Sequence, residues 1–186
     1  MSSRFLALAL MLALAACGEN PPEPAPDAAP AGASESVRGP VELAHFPLSE
    51  GAVPVGADAV FDPEISRDGG GSLRVESREG GRLRLYRLGE LGPVSGRLLM
   101  TGFLKSRDLE GAAFFEMRCR PAVGNEAFVR GVAGRVEGSS DWKPTQMGFS
   151  RPDLCSNPVS VELNVVVDGS GTIWIDDLRL WNVPTD

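Results

Sequence analysis

The chain has 186 residues, 42% of them hydrophobic, and a formal net charge of −7, and this length suits one domain of ordinary size. The acidic balance argues against a nucleic-acid-binding surface, because phosphate contacts need clustered Lys and Arg. The single histidine, His45, rules out a His-rich zinc site, and any Ser-His-Asp triad would have to use it. Composition therefore favours a protein that is not an enzyme.

The first residues have the features of an export signal. Arg4 precedes an apolar run over residues 5–16, which is too short to cross a bilayer as a helix, since that takes about 20 residues. The run ends in the letters LAAC, which resemble a bacterial lipobox. The resemblance implies cleavage before Cys17, acylation of Cys17 with palmitate-type chains and anchoring in the membrane lipid. Because Gly18 follows rather than Asp, it also implies sorting to the outer membrane. The alternative is a plain secretory signal with a chance cysteine.

The remaining chain divides into a tether and a domain. Residues 17–40 are rich in Pro and Ala and contain no large apolar side chain before Val37, so they cannot bury enough surface to fold. The sequence thus predicts a signal peptide over 1–16, a lipidated, disordered tether over 17–40 and a β-domain over 41–186.

The β-domain is predicted from two-residue periodicity. Apolar and polar residues alternate over 73–76, 83–86, 113–120 and 159–167, and Gly-rich turns separate these segments. The pattern predicts an all-β jelly roll or sandwich of eight or nine antiparallel strands. The turn at 168–171 predicts a closing hairpin between 159–167 and 172–181.

Several of these segments carry a family resemblance. In chain order they are GSLRVES from Gly71, LLMTGFLK from Leu98, GAAFFEMR from Gly111, SDW from Ser140 and GTIWIDDLRL from Gly171. The series resembles the galactose-binding-like jelly rolls, in particular the carbohydrate-binding modules of glycan-degrading enzymes, over residues 41 to 182. The resemblance supports the fold more strongly than it supports sugar binding.

The same resemblance implies a structural calcium ion, although no cofactor is required. Asp176, in the closing motif, would meet oxygens of the loop from Asp68 to Ser72, and calcium takes six to eight oxygen ligands. In the alternative, Asp176 and Asp177 mark a bulge and form ordinary turn hydrogen bonds.

Two cysteines, Cys119 and Cys155, remain after Cys17 is assigned to the lipobox. In an oxidising compartment they favour one disulfide. A buried free thiol at Cys119 and an exposed one at Cys155 are the alternatives.

A polar sheet face is the candidate binding site. Alternation predicts that Arg82, Arg84 and Tyr86 share one side of a strand. It predicts the same for Glu116, Arg118 and Arg120 on a second strand, and for Glu162 and Asn164 on a third. An aromatic ring that stacks on sugar C–H groups and polar groups that bond hydroxyls suit a glycan. The ligand-binding candidates are Arg84, Tyr86, Glu116, Arg118 and Asn164. The alternative is a solvated face with cross-strand Arg–Glu pairs.

These observations favour a non-catalytic, lipid-anchored module of the cell envelope that binds a carbohydrate or an envelope polymer. The alternative is an assembly lipoprotein that docks a protein partner. Nucleophile and nucleotide motifs are absent from the sequence. Glycoside hydrolysis needs only two carboxylates, and Glu116 and Glu162 are the pair that could face each other for it.

Overall fold

A computed structural model describes residues 39–48, 59–89 and 91–185 of the chain. Cys17 and the predicted signal and tether lie outside the described residues, apart from the last two positions of the tether. The strands are β1 Val41–Phe46, β2 Ala59–Asp62, β3 Ser72–Ser77, β4 Gly81–Leu88, β5 Arg97–Pro121, β6 Ala127–Arg130, β7 Val136–Gly148, β8 Pro158–Asp168 and β9 Gly171–Val183. Two short 3-10 helices cover Val132–Gly134 and Pro152–Cys155. No helix in this part of the chain is long and apolar enough to cross a membrane.

The nine strands form one curled antiparallel sheet, so the predicted all-β jelly-roll class is confirmed. The 25-residue strand β5 runs through both halves of this sheet. The first part of β5 pairs with β9 and β7, and its last part pairs with β8 and β6. The order along the main path is β2-β3-β9-β5-β8-β4, and β1 pairs with β9.

The strand β5 changes direction between its two parts. Asp108 and Gly111 there have positive φ angles of 51° and 105°. A Cβ atom on Gly111 would collide with the carbonyl oxygen of Asp168, so glycine is required both by conformation and by space. Gly102 allows the two halves of the sheet to pack closely. A Cβ atom at this position would press on the ring of Phe115, which lies in the other half of the sheet.

The core lies between the two halves of the curled sheet. Leu104, Ile175 and Leu180 come from one half and Phe115 and Leu163 from the other, and all five are fully buried. The alternation predicted for β8 is confirmed from residue 161 onward, since residues 161, 163, 165 and 167 are all buried in this core. It is wrong at Val159, which is 41% exposed, because the pairing with β5 shifts register between Ser160 and Pro158.

The predicted hairpin between β8 and β9 is wrong. Both strands pair with β5, one on each half of the sheet, and the turn at 168–171 crosses from one half to the other. The backbone N–H of Glu110 in β5 donates to the Ser170 carbonyl at 2.7 Å, which holds the turn against β5. A Gly-rich turn between two alternating segments does not distinguish a hairpin from such a crossover.

The predicted disulfide between Cys119 and Cys155 is confirmed. It joins the end of β5 to the second 3-10 helix, with the two Cα atoms 6.0 Å apart and a sequence separation of 36. Both cysteines are buried, so the bridge is part of the core.

Candidate functional site

One surface of the sheet collects most of the predicted ligand-binding residues. It is the outward side of β4, β8, the last part of β5 and β6, and we call it the polar face. Its residues follow from the strand registers. They are Arg82, Arg84, Arg87, Glu116, Arg118, Arg120, Phe128, Arg130, Glu162 and Asn164.

The polar face is organised in rows that cross the strands. In one row Asn164 lies between Arg84 of β4 and Glu116 of β5, and Arg130 of β6 lies beyond Glu116. In the next row Glu162 lies between Arg87 and Arg118, with Phe128 at the far end. Directly opposed residues on one face are close enough for their side chains to interact. Four of the five predicted ligand-binding residues are thus brought together.

Glu116 is the buried anion at the centre of this face. Its side chain is 0% exposed, and a buried charge is tolerated only when it is paired. The Nε of Arg130 donates to Oε2 at 2.8 Å, and guanidinium nitrogens of Arg82 and Arg118 lie 3.4 and 3.6 Å from Oε1. Three cations therefore surround one carboxylate.

The second row contains further Arg–Glu pairs. Arg84 and Arg87 lie 3.4 and 4.0 Å from Glu162. Arg118 also donates to the carboxylate of Glu126, and that hydrogen bond, together with the charges of Glu126 and Glu116, raises the pKa of Arg118 above its usual value. The cross-strand Arg–Glu pairs expected of a solvated sheet face are therefore present. The argument for a ligand depends on the polar atoms of this face that these pairs leave without a hydrogen-bond partner.

Asn164 supplies that unsatisfied group. Its side chain is fully buried, and neither Oδ1 nor Nδ2 has a hydrogen-bond partner among the described residues. The Nε of Arg84, its neighbour across the strands, is also buried and unpartnered in the same part of the chain. Buried polar groups are nearly always hydrogen-bonded, so each such exception needs an explanation. Here two donors, Nδ2 of Asn164 and Nε of Arg84, and one acceptor, Oδ1 of Asn164, lie on neighbouring residues of the polar face.

Phe128 supplies an aromatic surface that the sequence did not reveal. Its side chain is 56% exposed, and the guanidinium carbons of Arg118 and Arg130 lie 5.7 and 5.4 Å from its ring centroid. Strand β6 has only four residues, too few to establish an alternation by itself. The short run Phe128-Val129-Arg130, with polar and aromatic residues two apart, was the only available signal.

Tyr86 does not belong to the polar face, so the expectation that it shares a side with Arg84 is wrong. A bulge at Leu85 inserts one residue into the pairing of β4 with β8, so that Tyr86 lies opposite Leu163, a core residue. One extra residue moves the following side chains to the other face. Tyr86 stacks on Phe46 with ring centroids 3.8 Å apart, and burial raises the pKa of its hydroxyl to about 12.

Asp176 and Asp68 lie near each other on the first half of the sheet. Asp176 is fully buried, its Oδ2 accepts from the backbone N–H of Arg67 at 3.0 Å, and its Oδ1 has no partner among the described residues. Burial raises the pKa of Asp176, and the negative charge of Asp68 adds to this. Asp68 already accepts from the N–H of Gly70 and from Ser66 within its own loop. The orphaned oxygen of Asp176 fits a cation.

No larger acidic cluster surrounds them. Within 39–48, 59–89 and 91–185 there is no group of three or more His, Cys, Asp or Glu side chains that could hold a metal. Asp177 instead binds His45 at 2.8 Å and Arg179 at 2.9 Å, which gives the lone histidine a structural partner.

Comparison with known proteins supports the fold. No family model matches the chain, and no curated protein matches it either. Among solved structures, the CBM22-1 xylan-binding domain of Xyn10C from Paenibacillus barcinonensis matches with a TM-score of 0.56 and 15% identity, over 80% of this chain and 99% of that one.

Two further structures belong to the same group of modules. A CBM 22 xylan-binding domain matches with a TM-score of 0.51 and 13% identity, over 77% of this chain and 96% of that one. The C-terminal family 22 module of Clostridium thermocellum Xyn10B, in which cleft residues take part in ligand binding, gives 0.50 and 13%, over 75% and 92%. This likeness shows a shared fold. At such identities it does not by itself show which ligand this chain binds.

Proposed function

We propose that the polar face binds a glycan and does not catalyse its breakdown. The observation that carries the proposal is the buried, unpartnered amide of Asn164, which lies on the same sheet face as the exposed ring of Phe128. Because the amide is fully buried, binding requires the neighbouring side chain of Arg84 to move aside. Sugar hydroxyls then donate to Oδ1 and accept from Nδ2, while the C–H surface of the sugar stacks on the ring of Phe128. The structures with this fold are described as xylan-binding domains, and that description supports a carbohydrate ligand that is bound without turnover.

Retention on immobilised polysaccharides tests this proposal. The full chain would be purified in a detergent without a sugar headgroup and passed over a panel of plant and bacterial polysaccharides. We expect Phe128→Ala and Asn164→Val to lose retention on the polysaccharide that binds the unchanged chain. Val60→Ala removes a half-exposed apolar side chain on β2, outside the polar face, and should keep it. Retention that survives both face substitutions would refute the site. A chain that binds no polysaccharide but captures one envelope protein would favour the docking alternative.

We also propose that the chain is a lipid-anchored protein of the cell envelope, held at the outer membrane through acylated Cys17. The proposal is supported by the LAAC sequence that ends at this cysteine and by the glycine at position 18. Metabolic labelling with an alkyne fatty acid should mark the unchanged chain and leave Cys17→Ser unlabelled. Label on the serine variant, or label only in the inner-membrane fraction, would contradict the proposal.

Calcium is the third proposal. Asp176 and Asp68, with backbone carbonyls of the loop between β2 and β3, would hold the ion, and its charge would stabilise the buried carboxylate of Asp176. The support is the orphaned Oδ1 described above.

A further inference from the structure

The polar face has an excess of positive charge although the whole chain is acidic. The chain has a net charge of −7, but strands β4, β5 and β6 contribute six arginines to this one face. They are Arg82, Arg84, Arg87, Arg118, Arg120 and Arg130. The carboxylates that contact them are those of Glu116, Glu162 and Glu126. Guanidinium groups thus outnumber carboxylates two to one.

The pairs leave donor capacity on the arginines. A guanidinium has five N–H groups, and Arg82 places only one nitrogen within 3.4 Å of Glu116. The buried Nε of Arg84 has no acceptor, and Arg120 forms no ion pair with any residue that the structure describes. The side chains of Arg82 and Arg130 are about half exposed, so their N–H groups that do not bond the buried Glu116 are open to a ligand.

The cations on this face are all arginines. The two lysines of the chain, Lys105 and Lys143, lie instead on the first part of β5 and on β7. Arginine presents a planar fork whose two parallel N–H groups match two oxygens of a carboxylate or sulfate group, and the ammonium group of lysine has no such fixed geometry. A face whose cations are all arginines, beside an aromatic ring, therefore fits a sugar that carries carboxylate or sulfate groups.

We infer that the ligand of the polar face is an acidic polysaccharide, with carboxylate or sulfate groups on its sugar rings. This inference rests on the proposed glycan-binding function and narrows it to one chemical class. The anionic groups would take the free donors of Arg84 and Arg120, a ring hydroxyl would bond Asn164, and a sugar ring would lie on Phe128. A neutral glycan would offer the surplus guanidinium groups only hydroxyl oxygens, which form weaker hydrogen bonds with them than an oxyanion does.

Titration calorimetry with length-matched oligosaccharides tests the inference on the full chain. One arm uses a uronate oligomer, one a sulfated oligomer and one a neutral oligomer. We expect at least one anionic arm to bind more tightly than the neutral arm, and its affinity to fall about tenfold between low and physiological salt because free ions screen exposed charges. Arg120→Gln should weaken that binding severalfold. Arg97→Gln, an exposed arginine on the first part of β5, is the matched control and should leave the affinity unchanged.

The outcomes separate this inference from the proposed function. Equal, salt-insensitive binding of the neutral and anionic arms overturns the acidic-ligand inference and leaves glycan binding intact. Failure of all three arms, with the protein folded by its thermal transition, overturns both. Single-stranded DNA that binds as tightly as the best oligosaccharide also overturns the inference, because the face would then recognise negative charge and not sugar.

Discussion

Asn164→Val is the substitution that separates the binding role of the polar face from its contribution to stability. Each buried polar atom without a hydrogen-bond partner destabilises a fold by about 1–3 kcal/mol, and Asn164 has two such atoms. Valine removes both, suits a strand and continues the apolar run of residues 165–167. Since the face borders solvent, we expect a net gain of about 1–2 kcal/mol in the free energy of unfolding. The same change should abolish glycan retention.

Urea unfolding followed by tryptophan fluorescence measures the gain, and a thermal scan should show a midpoint about 5 °C higher. Ser106→Ala is the matched control, because the hydroxyl of Ser106 is also buried and unpartnered among the described residues but lies on the first part of β5. It should give about half the gain for its single atom and keep glycan retention. A loss of stability in Asn164→Val would refute the reasoning, since it would mean that the amide already has partners in the free protein.

Three further predictions concern the rest of the domain. Replacing Cys119 and Cys155 together by Ala should lower the free energy of unfolding by about 4 kcal/mol, the chain-entropy value for a separation of 36 residues, and a difference below about 1 kcal/mol in urea would contradict it. Because the pKa of Tyr86 is raised to about 12, its contribution to the free energy of unfolding should be complete below pH 10 and decline as the pH rises towards 12. Tyr86→Phe should lack this decline. Ultraviolet titration reports the ionisation directly, since the chain has a single tyrosine. Calcium should raise the thermal midpoint and a chelator lower it, with neither effect in Asp176→Asn; an unchanged midpoint in the unchanged chain would remove the calcium proposal.

The sequence predicted the features that depend on local pattern. Alternation over 159–167 identified β8, and from residue 161 also its buried side, and the remaining two cysteines identified the disulfide. The sequence could not predict which side of the sheet Tyr86 faces, because the bulge at Leu85 is visible only in the pairing of β4 with β8. Nor could it predict that β8 and β9 flank β5, since the partner of a strand depends on contacts far along the chain.

Among the binding candidates, too, the sequence predicted the residues that lie in a clear local pattern and missed the others. Glu116, Arg118 and Asn164 were predicted because each lies in a long alternating strand. Phe128 was missed because β6 is too short to give a pattern, although its neighbour across the sheet, Arg118, was named. The surplus of arginine on the face also emerged only when the registers of separate strands were combined.

The shared strand β5 has a consequence for the timing of folding. Its partners β6, β7, β8 and β9 all follow it in the chain, and β9 also holds β1 and β3. The sheet therefore cannot close until residues 171–183 have left the ribosome, and a topology dominated by such distant pairings folds slowly. For a chain exported as proposed above, this late closure would keep the domain open, and able to pass through a translocation channel, until β9 has been synthesised.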